Sequence, residues 1–263
     1  MNEALKVPTM AEYMAQDKQP EVLFWVGCAG SFDDRAKKIT KAFAKLLNNA
    51  GVDFAVLGTE ESCTGDPAKR AGNEFLFQMQ AMMNIQVLDG YEIKKIVTTC
   101  PHCFNTLKNE YPDLGGNYEV MHHTQFLKSL MNEGRLKVEG GKFKGKRITF
   151  HDPCYLGRAN NEYEAPRELL QKLEVELVEM KRCKTRGLCC GAGGAQMFKE
   201  PEKGDKDINV ERTEEAIETQ PSIIAAGCPF CNTMMTDGVK AKEKEASIQV
   251  MDIAEMIANA ADL

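Results

Sequence analysis

The chain has 263 residues, 43% hydrophobic and 27% charged, which is the balance of a soluble globular protein and enough for one large domain or two of ordinary size. Its net charge of −6 argues against nucleic acid as a partner, because neutralising phosphates calls for a basic surface. No apolar run is long enough to span a bilayer, and no basic stretch leading into an apolar core opens the chain, so neither a membrane span nor a secretion signal is expected.

Residues 1–20 read as an extended lead-in arm. Val22–Gly27 is an apolar run that should form a buried strand ending at Cys28. Asp33 can cap a helix whose apolar face is Ile39, Phe43, Leu46, Leu47 and Ala50, with Gly51 as its stop. Val52–Leu57 is the next strand and leads to Cys63. A helix through Leu76, Met79, Met83 and Val87 follows; Met79, Met82 and Met83 are read as core and not as a cofactor box. Ile96–Thr98 is a strand ending at Cys100, and Pro101 suits the first turn of a helix. His122 and His123 sit where a strand becomes a helix, and capping is their expected role. The charged, Gly-containing stretch 133–147 is a linker, and the basic residues within Lys142–Arg147 form a solvated turn.

The second half repeats this order. Ile148–Phe150 is a strand before Cys154, Pro166 starts a helix through Leu169, Leu170 and Leu173, and Glu176–Met180 is a strand before Cys189-Cys190. Arg212–Thr219 reads as helix, Ser222–Ala226 as strand, and a helix follows Cys228. Alternating strand and helix implies mostly parallel sheets covered by helices. The expected fold is therefore α/β: two tandem, pseudo-symmetric Rossmann-like units, 21–132 and 148–263, joined by 133–147.

The cysteines carry the repeat. Cys28 and Cys154, like Cys63 and Cys189, lie 126 residues apart; Cys100 and Cys228, like Cys103 and Cys231, lie 128 apart. Cys100-Pro101-His102-Cys103 answers Cys228-Pro229-Phe230-Cys231, and Cys63-Thr64-Gly65 answers Cys189-Cys190-Gly191, with Thr64 in place of the second Cys. Val120-Met121 before His122 answers Val250-Met251 before Asp252. Cys183 has no counterpart and reads as a spare thiol.

Ten cysteines without a secretion signal point to metal or redox chemistry rather than to disulfides. In the expected topology every cysteine group lies at the carboxyl edge of a sheet, where ligand sites gather in open α/β folds. A Cys-x-x-Cys pair at a helix start places two sulfurs where free amides favour thiolate. Iron–sulfur clusters take four such thiolates as a rule. Buried free cysteine is common and a lone Cys-x-x-Cys is moderate evidence, but two such pairs at matched distance from further cysteines shift the balance to metal. Gly191, Gly193 and Gly194 provide the backbone freedom that an adjacent cysteine pair needs. Gly191-Ala192-Gly193-Gly194 lacks the glycine spacing of a nucleotide loop. His151 and Asp152 are read either as groups supporting the metal or as a plain turn before Pro153.

These residues resemble a known family. Cys154, then Cys189-Cys190-Gly191, then Cys228-Pro229-Phe230-Cys231 is similar to the cysteine-rich CCG domain. That domain occurs in the catalytic subunit of heterodisulfide reductase and in iron–sulfur subunits of glycolate oxidase, lactate-utilisation proteins and related oxidoreductases. His151-Asp152-Pro153-Cys154-Tyr155-Leu156-Gly157-Arg158 is close to the family's own wording. Glu61-Ser62-Cys63-Thr64-Gly65-Asp66-Pro67 resembles a branch associated with electron-transfer flavoprotein and the quinone pool.

The resemblance implies a non-cubane four-iron cluster of the 4Fe-4S class held by Cys154, Cys189, Cys190, Cys228 and Cys231. It leaves Cys28, Cys63, Cys100 and Cys103 as a four-thiolate set for a second cluster or zinc. It also implies partners: a flavoprotein such as electron-transfer flavoprotein, a ferredoxin-like iron–sulfur subunit, and a membrane quinone-reactive subunit that would hold a cytoplasmic protein at the inner face of the membrane. The expected function is an electron-relay subunit of an oxidoreductase. Two alternatives stand beside it: a cluster-based thiol–disulfide reductase, and a zinc-stabilised binding module without redox role.

Overall fold

The computed structural model describes residues 5–139, 141–200 and 203–263. Among these described residues four short strands form each of two sheets. β1 (Val22–Trp25), β2 (Phe54–Ala55), β3 (Lys95–Thr98) and β4 (Glu119–His122) pair in the order β2-β1-β3-β4. β5 (Arg147–Phe150), β6 (Glu176–Leu177), β7 (Ile223–Ala226) and β8 (Gln249–Asp252) pair in the order β6-β5-β7-β8. All six pairings are parallel. Such strands need cover on both faces, which is why β1 and β7 are buried at every residue.

The strand order places a topological switch point between β1 and β3, and again between β5 and β7, where diverging connections leave a crevice at the carboxyl ends. Cys28 follows β1 and Cys100 follows β3; Cys154 follows β5 and Cys228 follows β7. Each cysteine set thus straddles the switch point of its own sheet.

Helices α3 (Ala36–Asn49) and α7 (His123–Asn132) of the first half pack on α11 (Ile253–Ala260) and α8 (Glu164–Lys172) of the second. They form a layer shared by the two sheets, and the largest hydrophobic cluster runs through it from Phe24, Phe43 and Leu127 to Phe150, Leu170 and Ile257. Polar contacts pin the same interface. Arg35 forks onto Glu255 with both bonds at 2.7 Å, and the fully buried His123 Nε2 meets Asp252 Oδ1 at 3.0 Å.

Several expectations are corrected. The first strand stops at Trp25, and Cys28 lies in a short helix, α2 (Gly27–Phe32), because Gly27 turns the chain at φ +78°. The strands expected over Val52–Leu57 and Glu176–Met180 shrink to two residues each at the sheet edges. Of the arm expected to be extended, residues 5–20 contain a five-residue helix, α1 (Met10–Met14), capped by Thr9 and docked through buried Met10. Residues 1–4 lie outside the described residues. Within 133–147, Leu136 and Phe143 are buried in the shared core.

The helix through Leu76 is α5 (Glu74–Gly90), but its buried face is Phe77, Ala81, Asn84, Ile85 and Leu88. Met79, Met82 and Met83, expected in the core, are exposed at 44, 61 and 57%, on the same helix as the still more exposed Phe75. The helix is apolar on both faces, so periodicity could not tell which one the sheet would cover. The remaining helices are α4 (Asp66–Arg70), α6 (Pro101–Asn105), α9 (Ile208–Glu218) and α10 (Pro229–Ala241). Among the described residues no helix is long and apolar enough to cross a membrane.

Candidate metal centres

Cys100 follows β3 and Cys228 follows β7 two residues after the strand's end, and proline follows each as the first residue of a helix whose open amides face the sulfurs. The Cys231 amide donates to Cys228 Sγ at 3.5 Å, so this thiol also caps α10. In the first half Cys28 Sγ contacts Cys63 Sγ, and Cys100 contacts Cys103. In the second, Cys154 contacts Cys189, Cys189 contacts Cys190, and Cys190 Sγ lies 3.3 Å from Cys231 Sγ.

Cys100 also contacts Cys228. The two switch points therefore face one another, and the sets that are 128 residues apart in the chain meet. Backbone geometry accommodates the crowding at two glycines. A Cβ on Gly27 would stand 3.3 Å from Cys103 Sγ at a positive φ. Gly191, at φ +91°, directs its amide onto Cys189 Sγ at 3.3 Å.

The acidities follow from this packing. Cys189 is held far below the usual thiol range by the neighbouring thiols of Cys154 and Cys190 and by the Gly191 amide. Cys63 is lowered to about 7, first by the thiol of Cys28 and then by the Gly65 amide. Their partners move the other way: Cys154 and Cys28 rise beyond the ordinary range, and Cys190 is pushed up to about 12 by Cys189. Thiolates packed this closely cannot all ionise together without positive charge among them. Thiolates buried at helix starts and glycine turns are the donors iron–sulfur clusters and zinc require, so the residues fit such a group. Cys183 stands apart, half-buried, with burial raising its pKa.

The fifth position of the first set is filled by Thr64, which is buried and directs Oγ1 at Cys103 Sγ at 3.9 Å. Between the sets lies His102. Its Nδ1 faces Asp66 Oδ2 at 3.2 Å, and its ring packs on Tyr155 at 4.6 Å and Phe230 at 5.3 Å. The middle residues of the two Cys-x-x-Cys motifs thus touch. Glu61 accepts from the amides of Val26 and Gly27 at 2.9 and 2.6 Å and fixes the turn before Cys28; burial pushes its carboxyl up to about 7.

The turn around Cys154 is fixed by a buried pair. Arg167 forks onto Asp152 at 2.8 and 2.9 Å, and Asp152 Oδ2 accepts the Lys184 amide at 2.7 Å, tying Cys154 to the segment before Cys189. Asp152 therefore braces this turn from a buried ion pair. His122 is the N-cap of α7, as expected, and its ring also bonds Thr124 Oγ1 at 2.7 Å. Sequence reasoning quoted Glu61 and Asp66 only as part of a motif and gave no role to them or to Arg167 and Arg212. Arg167 and Arg212 lie on helices where charge ordinarily means a solvated face, so no local signal marked them.

The family model for the cysteine-rich CCG domain matches twice, at residues 22–108 and 148–236. The chain is 50% identical over 254 residues to the probable iron-sulfur-binding oxidoreductase FadF of Bacillus subtilis, covering 96% of this chain and 36% of that protein. It is 46% identical to the EtfAB:quinone oxidoreductase of Syntrophomonas wolfei, covering 95% of this chain and 36% of that protein. It is 34% identical to one subunit of the dihydromethanophenazine:CoB--CoM heterodisulfide reductase of Methanosarcina barkeri, covering 94% of this chain and 60% of that protein. The chain spans about a third of the length of the first two relatives. With both halves matched and the thiols of both gathered at facing switch points, the chain belongs to the cysteine-rich CCG domain family.

Proposed function

We propose that this chain is the iron–sulfur electron-relay unit of an oxidoreductase, with Cys154, Cys189, Cys190, Cys228 and Cys231 holding a four-iron cluster of non-cubane type and Cys28, Cys63, Cys100 and Cys103 a second metal centre. The observation that carries the reading is the contact of Cys100 with Cys228, which makes one continuous path of sulfurs from the first set to the second. A cluster, when bound, supplies one-electron carriage. The chain's own residues hold it by thiolate, keep water from Cys100, Cys103, Cys190, Cys228 and Cys231, and set two sites side by side.

The electron donor in this reading is a flavoprotein of the electron-transfer class or a ferredoxin-like subunit, and the acceptor lies towards quinone through a membrane partner. The name of the Syntrophomonas relative supports a flavoprotein-to-quinone direction. Thr64 weighs against direct disulfide cleavage. That chemistry would use two matched five-thiolate sites, and here the first set has a hydroxyl where the fifth sulfur would stand.

Anaerobic purification with iron, sulfide and zinc analysis tests the proposal. Iron and sulfide with a paramagnetic signal on reduction are expected, and electrons from a reduced flavoprotein should reach a quinone analogue. Colourless protein with stoichiometric zinc alone would overturn the relay reading in favour of a zinc-stabilised module. Reduction of a small disulfide without quinone would favour the thiol–disulfide alternative.

A further inference from the structure

His151 lies three residues before Cys154 and is 1% exposed. One of its ring nitrogens and the sulfurs of Cys190 and Cys231 all lie within 4.8 Å of one another. Three neutral or acidic ligand atoms so close, all buried, would ordinarily suggest that histidine joins the metal. The partner on the other side of the ring decides otherwise.

Arg212 Nε lies 3.0 Å from His151 Nδ1. A guanidinium has no acceptor and stays protonated, so it can only donate. Nδ1 must therefore offer its lone pair, and in the neutral ring the proton sits on Nε2. Nε2 is buried and has no hydrogen-bond partner among the described residues. A buried N–H is rarely left without an acceptor. The sulfurs of Cys190 and Cys231, within 4.8 Å of the ring, are the acceptors it could reach.

Arg212 is itself 0% exposed and is locked in place. Its Nη1 donates to the Arg182 carbonyl at 2.8 Å and to Glu215 Oε2 at 3.0 Å. The tautomer of His151 is thus fixed by a rigid cation rather than left to solvent.

We propose that His151 is a positioning and tuning residue of the second centre: held by Arg212, it donates its Nε2–H to the thiolate sulfurs of Cys190 and Cys231 and raises the centre's reduction potential without being a ligand. The physical reason is that reduction adds negative charge to the sulfurs, and a donor aimed at them stabilises the reduced form more than the oxidised one. The inference rests on the proposed cluster at this set.

The first half lacks the device. Trp25 stands three residues before Cys28, also fully buried and with Nε1 unpartnered among the described residues. Asn84, 128 residues before Arg212, bonds the Cys63 carbonyl at 2.9 Å instead of a ring. The cation behind the donor is particular to the second centre.

Redox titration of the anaerobically purified full chain, followed by its paramagnetic signal, tests this. His151→Phe should keep its iron and lower the midpoint potential of the second centre by about 59 mV, a tenfold change in the one-electron equilibrium. His151→Gln, which keeps an amide donor, should recover most of the shift. Arg212→Met should lower the potential as His151→Phe does. Iron retained with an unmoved potential in His151→Phe would overturn the inference.

Should that variant fail to fold, pulsed magnetic resonance on the parent chain with 15N-labelled histidine decides. A weak nitrogen coupling and an exchangeable proton near the cluster are expected. A strong coupling of a directly bonded nitrogen, or none at all, would overturn the proposal. Iron-free parent protein would sink the relay reading itself, whereas iron present without the histidine coupling would sink only this inference.

Discussion

Thr64 separates the two halves chemically more than any other residue. It occupies the place of a thiol beside Cys103, so Thr64→Cys should give the first set five sulfurs. The expected outcome is a first centre whose paramagnetic spectrum moves towards that of the second. Cys190→Ser is the converse. It should remove or perturb the second cluster, seen as lost iron and an altered spectrum, while the first half stays folded. An unchanged spectrum would count against five ligands. Arg167→Ala is expected to destabilise the fold by about 3–5 kcal/mol, because it leaves Asp152 buried without its charge partner. Urea unfolding of the variant checks that figure.

At the scale of elements, the joint between β8 and α11 combines two functions. Asp252 caps the helix through the Ala254 amide at 2.8 Å and partners His123 across the halves at 3.0 Å. Asp252→Ala should lose about 1 kcal/mol for the cap and roughly 1–3 more for the stranded buried ring, read as a lower thermal midpoint. A second joint carries a pH dependence. Burial pushes Glu215 up, but the Arg182 amide and the cations of Arg212 and Arg182 outweigh it and hold the carboxyl below its ordinary value. A carboxyl with a depressed folded pKa adds stability above the ordinary value near 4.5 and loses it as pH falls through the folded one. Stability measured by urea midpoint from pH 7 down to the acid range should therefore fall less steeply in Glu215→Gln than in the parent.

For the whole molecule, the shared helical layer makes the two halves one cooperative body. The cluster that contains Phe24 and Phe43 also contains Phe150 and Leu170, so neither sheet keeps its inner face covered when alone. A single unfolding transition by calorimetry is expected. Residues 148–263 expressed alone should aggregate or stay molten, because the faces of α8 and α11 that meet the first half would be exposed.

The cysteine spacing showed that the chain is a repeat, and the apolar runs between the cysteines that each repeat is a parallel α/β layer. Period and motif are local, and the alternation of strand and helix leaves few topologies to choose from. Tertiary structure decided what no local pattern encodes. It turned the two crevices to face each other so that Cys100 touches Cys228, and it exposed Met79, Met82 and Met83 on a helix with two apolar faces. It also buried Arg167 and Arg212, whose charges would read as surface until their partners, Asp152 and His151, arrive from other elements. A buried charge is tolerable only where a partner meets it, and that meeting is a property of the packed molecule rather than of the chain.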